Sequence, residues 1–299
     1  MTKNILTIDV EDWFHILGTT RGAPKPEEWE GLPHRVVDNT RKLMDIFEEE
    51  GAGATFFTLG WVARQHPKLI REMGDRGFDV ACHGNVHEMV HTQTSNQFRA
   101  DLRKAKKSLE DAGGRAVTGY RAAGFSITRD TPWAFDVLHE EGFRYDASVF
   151  PGSHAHGGIS VPFRKPFLIE TATGDFLYEF PVAAAKFGSK MFPFGGGGYF
   201  RLIPEPVTAG LVRQMNKKEI PATLYLHPRE IDPGQPRMRN LPLKRKLKYY
   251  INVDSTESKL RSIVRRFQFL SIPQYLSHSN NRVDAGSRVV SFQDSKESR

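Results

Sequence analysis

Short apolar runs alternate with amphipathic stretches through the first two-thirds of the chain. Ile5-Leu6-Thr7-Ile8 is the first run and ends at Asp9. Val36, Val37, Leu43, Met44, Ile46 and Phe47 then recur at helical spacing and stop before Gly51, a residue suited to a helix C-terminus. Thr55-Phe56-Phe57-Thr58-Leu59 reads as the next strand, 67–76 as a helix, and 78–82 as a third strand. Ser95 is placed to cap a helix carrying Phe98, Leu102 and Leu109; strand 116–120, helix 131–140 and strand 143–146 follow. This alternation predicts strand and helix units built around parallel strands.

Residues 151–205 break the rhythm with strand-like pieces at 167–171 and 177–182 and the run Gly195-Gly196-Gly197-Gly198. They predict loops and a small hairpin inserted over one end of the fold. The glycine run lacks the Gly-Lys-Ser/Thr ending of a phosphate cradle, so a flexible turn or lid is expected. Helix 206–216 and strand 222–226 resume the pattern. Asp254-Ser255-Thr256-Glu257 has capping-box spacing ahead of the apolar face Leu260, Ile263, Val264 and Phe267. From about residue 279 to 299 the chain is polar and aperiodic, and a disordered tail is expected.

Length and charge change this picture little. At 299 residues the chain is long for one domain, but strand–helix barrels reach this size as a unit. No apolar run approaches the roughly 18 residues of a membrane span, and the lone Cys82, inside an apolar strand, reads as an inert buried thiol. The opening residues lead into the first strand without a secretory leader pattern, so a cytoplasmic location is expected. The net charge of +7 is concentrated late, at Lys244-Arg245-Lys246, Lys248, Lys259, Arg261, Arg265 and Arg266. Such a stretch forms a solvated helix face, or else it attracts an anionic surface, here the inner face of a membrane. No nucleic-acid-binding motif accompanies it, and no nucleic-acid partner is expected.

The candidate chemistry begins with His83 and His87, four apart, and the acids Asp9, Glu11 and Asp12. Three protein ligands leave a coordination position open, as in catalytic rather than structural zinc sites. An overlapping pattern, His87-Glu88-Met89-Val90-His91, fits the zinc-protease motif, which needs a continuous helix. Gly84-Asn85 before it and the cap-like Thr92-Gln93-Thr94-Ser95 after it argue against that helix. Asp9, His83, Arg121, Asp146 and His227 each follow a different predicted strand. Each alone has a structural explanation, but in a parallel barrel those strand ends form the one face where active sites assemble.

In their order, these residues resemble the polysaccharide deacetylases of NodB type (carbohydrate esterase family 4 type), and more narrowly a branch associated with exopolysaccharide clusters. The resembling motifs are Ile8-Asp9-Val10-Glu11-Asp12-Trp13-Phe14, His83-Gly84-Asn85-Val86-His87, Arg121-Ala122-Ala123-Gly124-Phe125-Ser126, Tyr145-Asp146-Ala147-Ser148 and Leu226-His227-Pro228-Arg229-Glu230-Ile231-Asp232, with Gly196-Gly197-Gly198-Tyr199-Phe200-Arg201 typical of the branch.

The resemblance implies an α/β fold, a distorted (β/α)7 barrel with loop and hairpin insertions. Residues 1–278 would be a single catalytic domain, with about 235–275 a family-specific extension. By position, His83 and His87 would hold a divalent metal, zinc foremost with cobalt or nickel acceptable. The third ligand is Glu11 or Asp12, with Glu11 preferred. Asp9 would be the base, Arg121 would aim it, and His227 would be the acid, oriented by Asp146; a backbone N–H near Gly124 would meet the oxyanion. The implied activity is removal of N-acetyl groups from hexosamine units of a polysaccharide or a lipid-linked precursor. Ala123 and Arg229 stand where relatives commonly have proline and tryptophan, which touches substrate preference. The rivals are hydrolysis of another C–N bond, in a cyclic ureide or imide, and a catalytically silent glycan-binding homologue.

Overall fold

The computed structural model describes residues 2–16, 22–151, 158–159, 161–188, 190–238, 241–278 and 288–292. Its strands are β1 (Asn4–Val10), β2 (Thr55–Thr58), β3 (Asp79–Cys82), β4 (Gly119–Tyr120), β5 (Tyr145–Asp146), β6 (Phe167–Glu170), β7 (Phe176–Glu179), β8 (Ala184–Phe187), β9 (Lys190–Pro193), β10 (Thr223–Leu226), β11 (Phe269–Leu270) and β12 (Val289–Ser291). Its helices are α1 (Val36–Glu49), α2 (Gly60–Gln65), α3 (Pro67–Asp75), α4 (Ser95–Gly113), α5 (Trp133–Glu140), α6 (Gly197–Leu202), α7 (Glu205–Asn216), α8 (Leu243–Tyr250), α9 (Val253–Arg266) and α10 (Ile272–Ser277).

The alternation read from the hydrophobic pattern is the observed one. The main sheet runs β10-β1-β2-β3-β4-β5-β7-β6-β12, with β11 beside the start of β1. Every pairing from β10 to β7 is parallel, and β6 returns antiparallel as the expected hairpin. β1 is buried at all of its residues, as a parallel strand covered on both faces should be. On a flat sheet β1 and β7 would stand on the order of 24 Å apart. Yet Ile5 of β1, Phe57 of β2, Tyr145 of β5 and Phe180 just after β7 share one buried cluster, so the sheet curls into a barrel. The remaining gap is bridged where the Ala183 amide donates to the Thr223 carbonyl of β10 at 2.9 Å. This is the distorted α/β barrel that the resemblance implies, its wall made of seven parallel strands.

Four local expectations are corrected. Thr94, not Ser95, caps α4, because its hydroxyl takes the Gln97 N–H while Gln97 closes the box. α9 starts at Val253 after Asn252 in a left-handed conformation, and Glu257 is spent on Lys42 and Arg261 instead of a capping box. Within the expected disordered tail, 288–292 contributes β12, which pairs with β6, and Phe292 stacks on Phe135 at 5.5 Å; the rest of 279–299 lies outside the described residues. The glycine run is no free turn: Gly196 pairs with Tyr225, and a Cβ on it would lie 2.0 Å from the tyrosine ring.

The late basic stretch divides in two. On α9, Arg261, Arg265 and Arg266 pair with Glu49, Glu50 and Glu205, and Lys259 is tied to the carbonyls of Phe200 and Ile203. That half leaves no free cationic face for a membrane. Among the described residues no helix is long and apolar enough to cross one. Cys82 is buried, and burial pushes its thiol pKa up, as an inert thiol requires.

Candidate active site

Strand register places the candidate residues at one level. Asp9 pairs across from Phe57, Cys82 from Tyr120, Tyr120 from Asp146, and Ile8 from Leu226. His83, Arg121 and His227 therefore leave their strands on the same rim as Asp9. His83 extends the ladder through its amide to the Thr58 carbonyl at 3.0 Å. Its Nδ1 lies 2.8 Å from the Arg121 carbonyl, an acceptor that fixes a proton on Nδ1 and turns Nε2 towards the acid cluster. That Nε2 is 3.0 Å from Glu11 Oε1.

His87 reaches the same oxygen by a strained route. Gly84 takes φ +79°, and His87 itself φ +59°, a conformation that costs a non-glycine residue about 1–3 kcal/mol. The Gly84 and Asn85 carbonyls accept the first amides of α2, from Gly60 and Trp61, at 2.9 Å, and this holds the turn. The His87 Nε2 is thereby set 2.9 Å from Glu11 Oε1. The segment after it is a single 3-10 turn, Val90–Thr92, so the protease-type helix through His91 does not form.

Glu11, His83 and His87 converge their ligand atoms within 4.8 Å, all buried. Two imidazole nitrogens and one carboxylate are the ligand types that zinc or a similar divalent ion takes. Burial alone would raise the Glu11 pKa, but His87 and His227 and the hydrogen bonds from both site histidines hold it well below the usual carboxylate range. Asp12, the alternative third ligand, is elsewhere. Its carboxylate accepts the amides of Trp13 at 2.8 Å, Arg35 at 2.8 Å and Val36 at 3.0 Å, so it caps the start of α1.

Asp9 receives Arg121 Nη1 at 2.7 Å. The fully buried guanidinium is fixed further by Thr7 Oγ1 at 2.8 Å, the Ala147 carbonyl at 3.0 Å and the face of Phe57 at 4.3 Å. His227 Nε2 stands 4.0 Å from Asp9 Oδ2 and 3.8 Å from Glu11 Oε1. Burial lowers its pKa to about 4, with Glu11 and Asp9 opposing and Arg229 and His83 assisting.

Asp146 does not orient His227. Its oxygens accept the Ser148 amide at 2.9 Å and hydroxyl at 2.6 Å, and its register partner is Glu179 on β7, not β10. Burial raises both of these acids, Glu179 well above its usual range, so the pair retains a proton. The carboxylate behind His227 is Glu230, 3.3 Å from Nδ1, and its other oxygen pairs with the buried Arg201. Glu230 and Glu179 were both missed. The first was signalled by its spacing, three residues after His227 on a turn, and the second by an acid standing within an apolar strand.

The centre opens into a cleft of about 130 Å³, bordered also by Gly124, Tyr249, Arg229, Arg245 and Lys248. Gly124, expected near the oxyanion, thus borders the cleft. Arg229 lies over Tyr249 at 4.1 Å.

Residues 30–145 match the family model described as polysaccharide deacetylase, and 147–277 match a domain of unknown function, DUF3473. That second match begins where the regular alternation stops. A chitooligosaccharide deacetylase from Sinorhizobium fredii is 28% identical over 99 residues, 33% of this chain and 44% of that protein. A peptidoglycan-N-acetylmuramic acid deacetylase from Bacillus subtilis is 26% identical over 76 residues, 25% of this chain and 29% of its own. The chain thus spans less than half the length of these curated relatives. Among solved structures, one from Mycobacterium smegmatis described as a polysaccharide deacetylase is 18% identical, with a TM-score of 0.63 over 97% of this chain and 94% of that one. Puue allantoinase is 16% identical, with a TM-score of 0.58 over 92% and 91%. These two likenesses speak for the fold alone. Residues 30–145 thus carry the polysaccharide deacetylase match, and the second matched domain continues from there to residue 277.

Proposed function

We propose that the protein is a metal-dependent hydrolase that removes the N-acetyl group from hexosamine units of a glycan or of a lipid-linked glycan precursor. One observation carries this reading: Glu11 Oε1 lies within 3.0 Å of both imidazole Nε2 atoms, with the Asp9–Arg121 pair and His227 facing the same space. The donor set fits a divalent ion, with zinc preferred and cobalt or nickel acceptable. Such an ion, when bound, supplies Lewis acidity at the acetamide carbonyl and lowers the pKa of an attacking water.

The chain's own residues supply the proton traffic. Arg121 aims Asp9, which takes the water proton as the oxygen adds to the carbonyl carbon. His227 is neutral at rest because burial lowers its pKa. The proton it passes to the departing nitrogen is therefore one gained during turnover, from Asp9 4.0 Å away. The C–N bond breaks and Asp9 is restored; acetic acid and the amine leave, the acid passing its remaining proton to the amine to give acetate and ammonium. Glu230 at Nδ1 holds the ring so that Nε2 faces the leaving group.

Purified protein loaded with Zn²⁺, Co²⁺ or Ni²⁺ is expected to release acetate from N-acetylglucosamine oligomers or lipid-linked N-acetylhexosamine. His83→Ala should lose both the ion and the acetate. Folded, metal-loaded protein that opens a cyclic ureide or imide but frees no acetate would overturn the reading.

A further inference from the structure

We propose that Arg229, Arg245 and Lys248 form an anion subsite beside the hydrolytic centre, and that the N-acetylated substrate carries a phosphate or pyrophosphate group there. The proposal rests on the deacetylase reading and names the substrate class more closely. All three side chains border the same cleft as Glu11, His83 and His87. Arg229 follows His227 by two residues on the turn after β10, so the backbone sets its distance from the chemistry. Tyr249 stacks under its guanidinium at 4.1 Å, and its Nη1 is buried with no hydrogen-bond partner. Arg245 and Lys248 lie three residues apart on α8 and so share one side of it. The stem of Lys248 lies along Gly198, where even a Cβ would be 3.2 Å from its Cγ.

These cations lack the counter-charges that others have. Arg201 is matched by Glu230, and the arginines of α9 by Glu49, Glu50, Glu205 and Glu257. Among the described residues no carboxylate lies within ion-pair distance of Arg229, Arg245 or Lys248. They also repel: partial burial, then Arg245, Arg201 and Arg229, lower the Lys248 pKa. Like charges clustered at one cleft without a carboxylate between them repel, and an anion bound among them relieves that repulsion. A carboxylate satisfies one guanidinium fork, whereas a phosphate or pyrophosphate presents enough oxygens and charge for two arginines and a lysine. Such a group comes from a sugar phosphate, a nucleotide-linked sugar or a lipid-pyrophosphate-linked sugar.

The test compares acetate release from N-acetylglucosamine 1-phosphate, a uridine-diphosphate-linked N-acetylglucosamine, a polyprenyl-pyrophosphate-linked N-acetylglucosamine and a neutral N-acetylglucosamine trimer. At least one phosphorylated substrate is expected to exceed the neutral trimer in kcat/KM by roughly tenfold or more, and which one identifies the source. Arg229→Gln, Arg245→Gln and Lys248→Gln should each shrink that ratio. Calorimetry with inorganic pyrophosphate on His83→Ala protein gives a readout independent of turnover, and the three Gln changes should weaken binding there. A wild type that prefers the neutral trimer overturns the subsite and leaves the deacetylase reading intact. No acetate from any substrate, with pyrophosphate still bound through these residues, overturns the deacetylase reading and keeps the subsite. Absence of pyrophosphate binding removes the subsite.

Discussion

Glu230 divides its carboxylate between two neighbours, with Oε2 3.3 Å from Nδ1 of His227 and Oε1 on the buried guanidinium of Arg201. The same oxygen that faces the ring also accepts the His227 amide at 3.0 Å. Glu230→Gln therefore strikes twice. It loosens the ring, which should lower turnover roughly 10–100-fold as outer-shell changes do, and it leaves Arg201 buried without a counter-charge. Breaking such a pair costs about 3–5 kcal/mol. Adding Arg201→Met should recover part of the stability but none of the turnover, read by thermal melts and acetate release side by side. Asp146→Asn in a parallel assay should not imitate the turnover loss through His227, because no hydrogen bond links the two.

How much of this was legible follows from how each signal arises. Strand ends were readable because a parallel barrel forces polar residues after each apolar run onto one rim, which is why Asp9, His83, Arg121, Asp146 and His227 could be named together. Partners across the rim were not, since they depend on strand order. β5 neighbours β7 and β10 neighbours β1, which puts Asp146 with Glu179 and leaves His227 to Glu230. The choice between Glu11 and Asp12 was likewise a matter of side-chain direction, decided by the demand of the α1 amides for a cap. Charge runs were the least readable, because ion pairs from distant segments silence α9 while α8 keeps its cations.

Glu11 and Asp12 should separate cleanly under substitution. Glu11→Gln removes the one carboxylate shared by both imidazoles, so the protein is expected to lose stoichiometric zinc in elemental analysis and with it all acetate release. Asp12→Asn should keep its ion and cost about 1 kcal/mol or somewhat more, the scale of a lost helix cap. Zinc lost from Asp12→Asn and retained by Glu11→Gln would reverse the reading of the centre.

The approach of Gly196 to Tyr225 makes a purely steric prediction. Gly196 has extended backbone angles that any residue adopts, so alanine brings no conformational strain there. Its Cβ would nonetheless fall 2.0 Å from Cδ1 of a ring packed on Phe125 and Phe150 below. Gly196→Ala should lower stability by about 1–3 kcal/mol, as overpacking does. Gly210→Ala, on α7 with open space around it, should not destabilise in the same melt.

The Asp146–Glu179 pair makes stability depend on pH in an unusual direction. Glu179 in the folded protein holds its proton well above the ordinary carboxylate value of 4.5, chiefly through burial and then through Asp146. Below that value both folded and unfolded chains are protonated there, and the pair costs nothing. As pH rises through it, the unfolded chain releases a proton that the folded chain keeps, so this contribution to stability falls with rising pH. Glu179→Gln removes the titration and keeps the geometry: the amide oxygen can accept the Val149 N–H as Oε1 does at 2.9 Å, and the NH₂ can donate to Asp146. The variant is expected to match the wild type near pH 4.5 and to exceed it at pH 8, by on the order of 1–3 kcal/mol, the cost of an ill-matched buried polar group. Glu179→Ala, which strands the Val149 amide, should be less stable at every pH. Melts from pH 4.5 to 8.5 decide it; a wild-type advantage over Glu179→Gln that is constant across the range would mean the pair carries no proton.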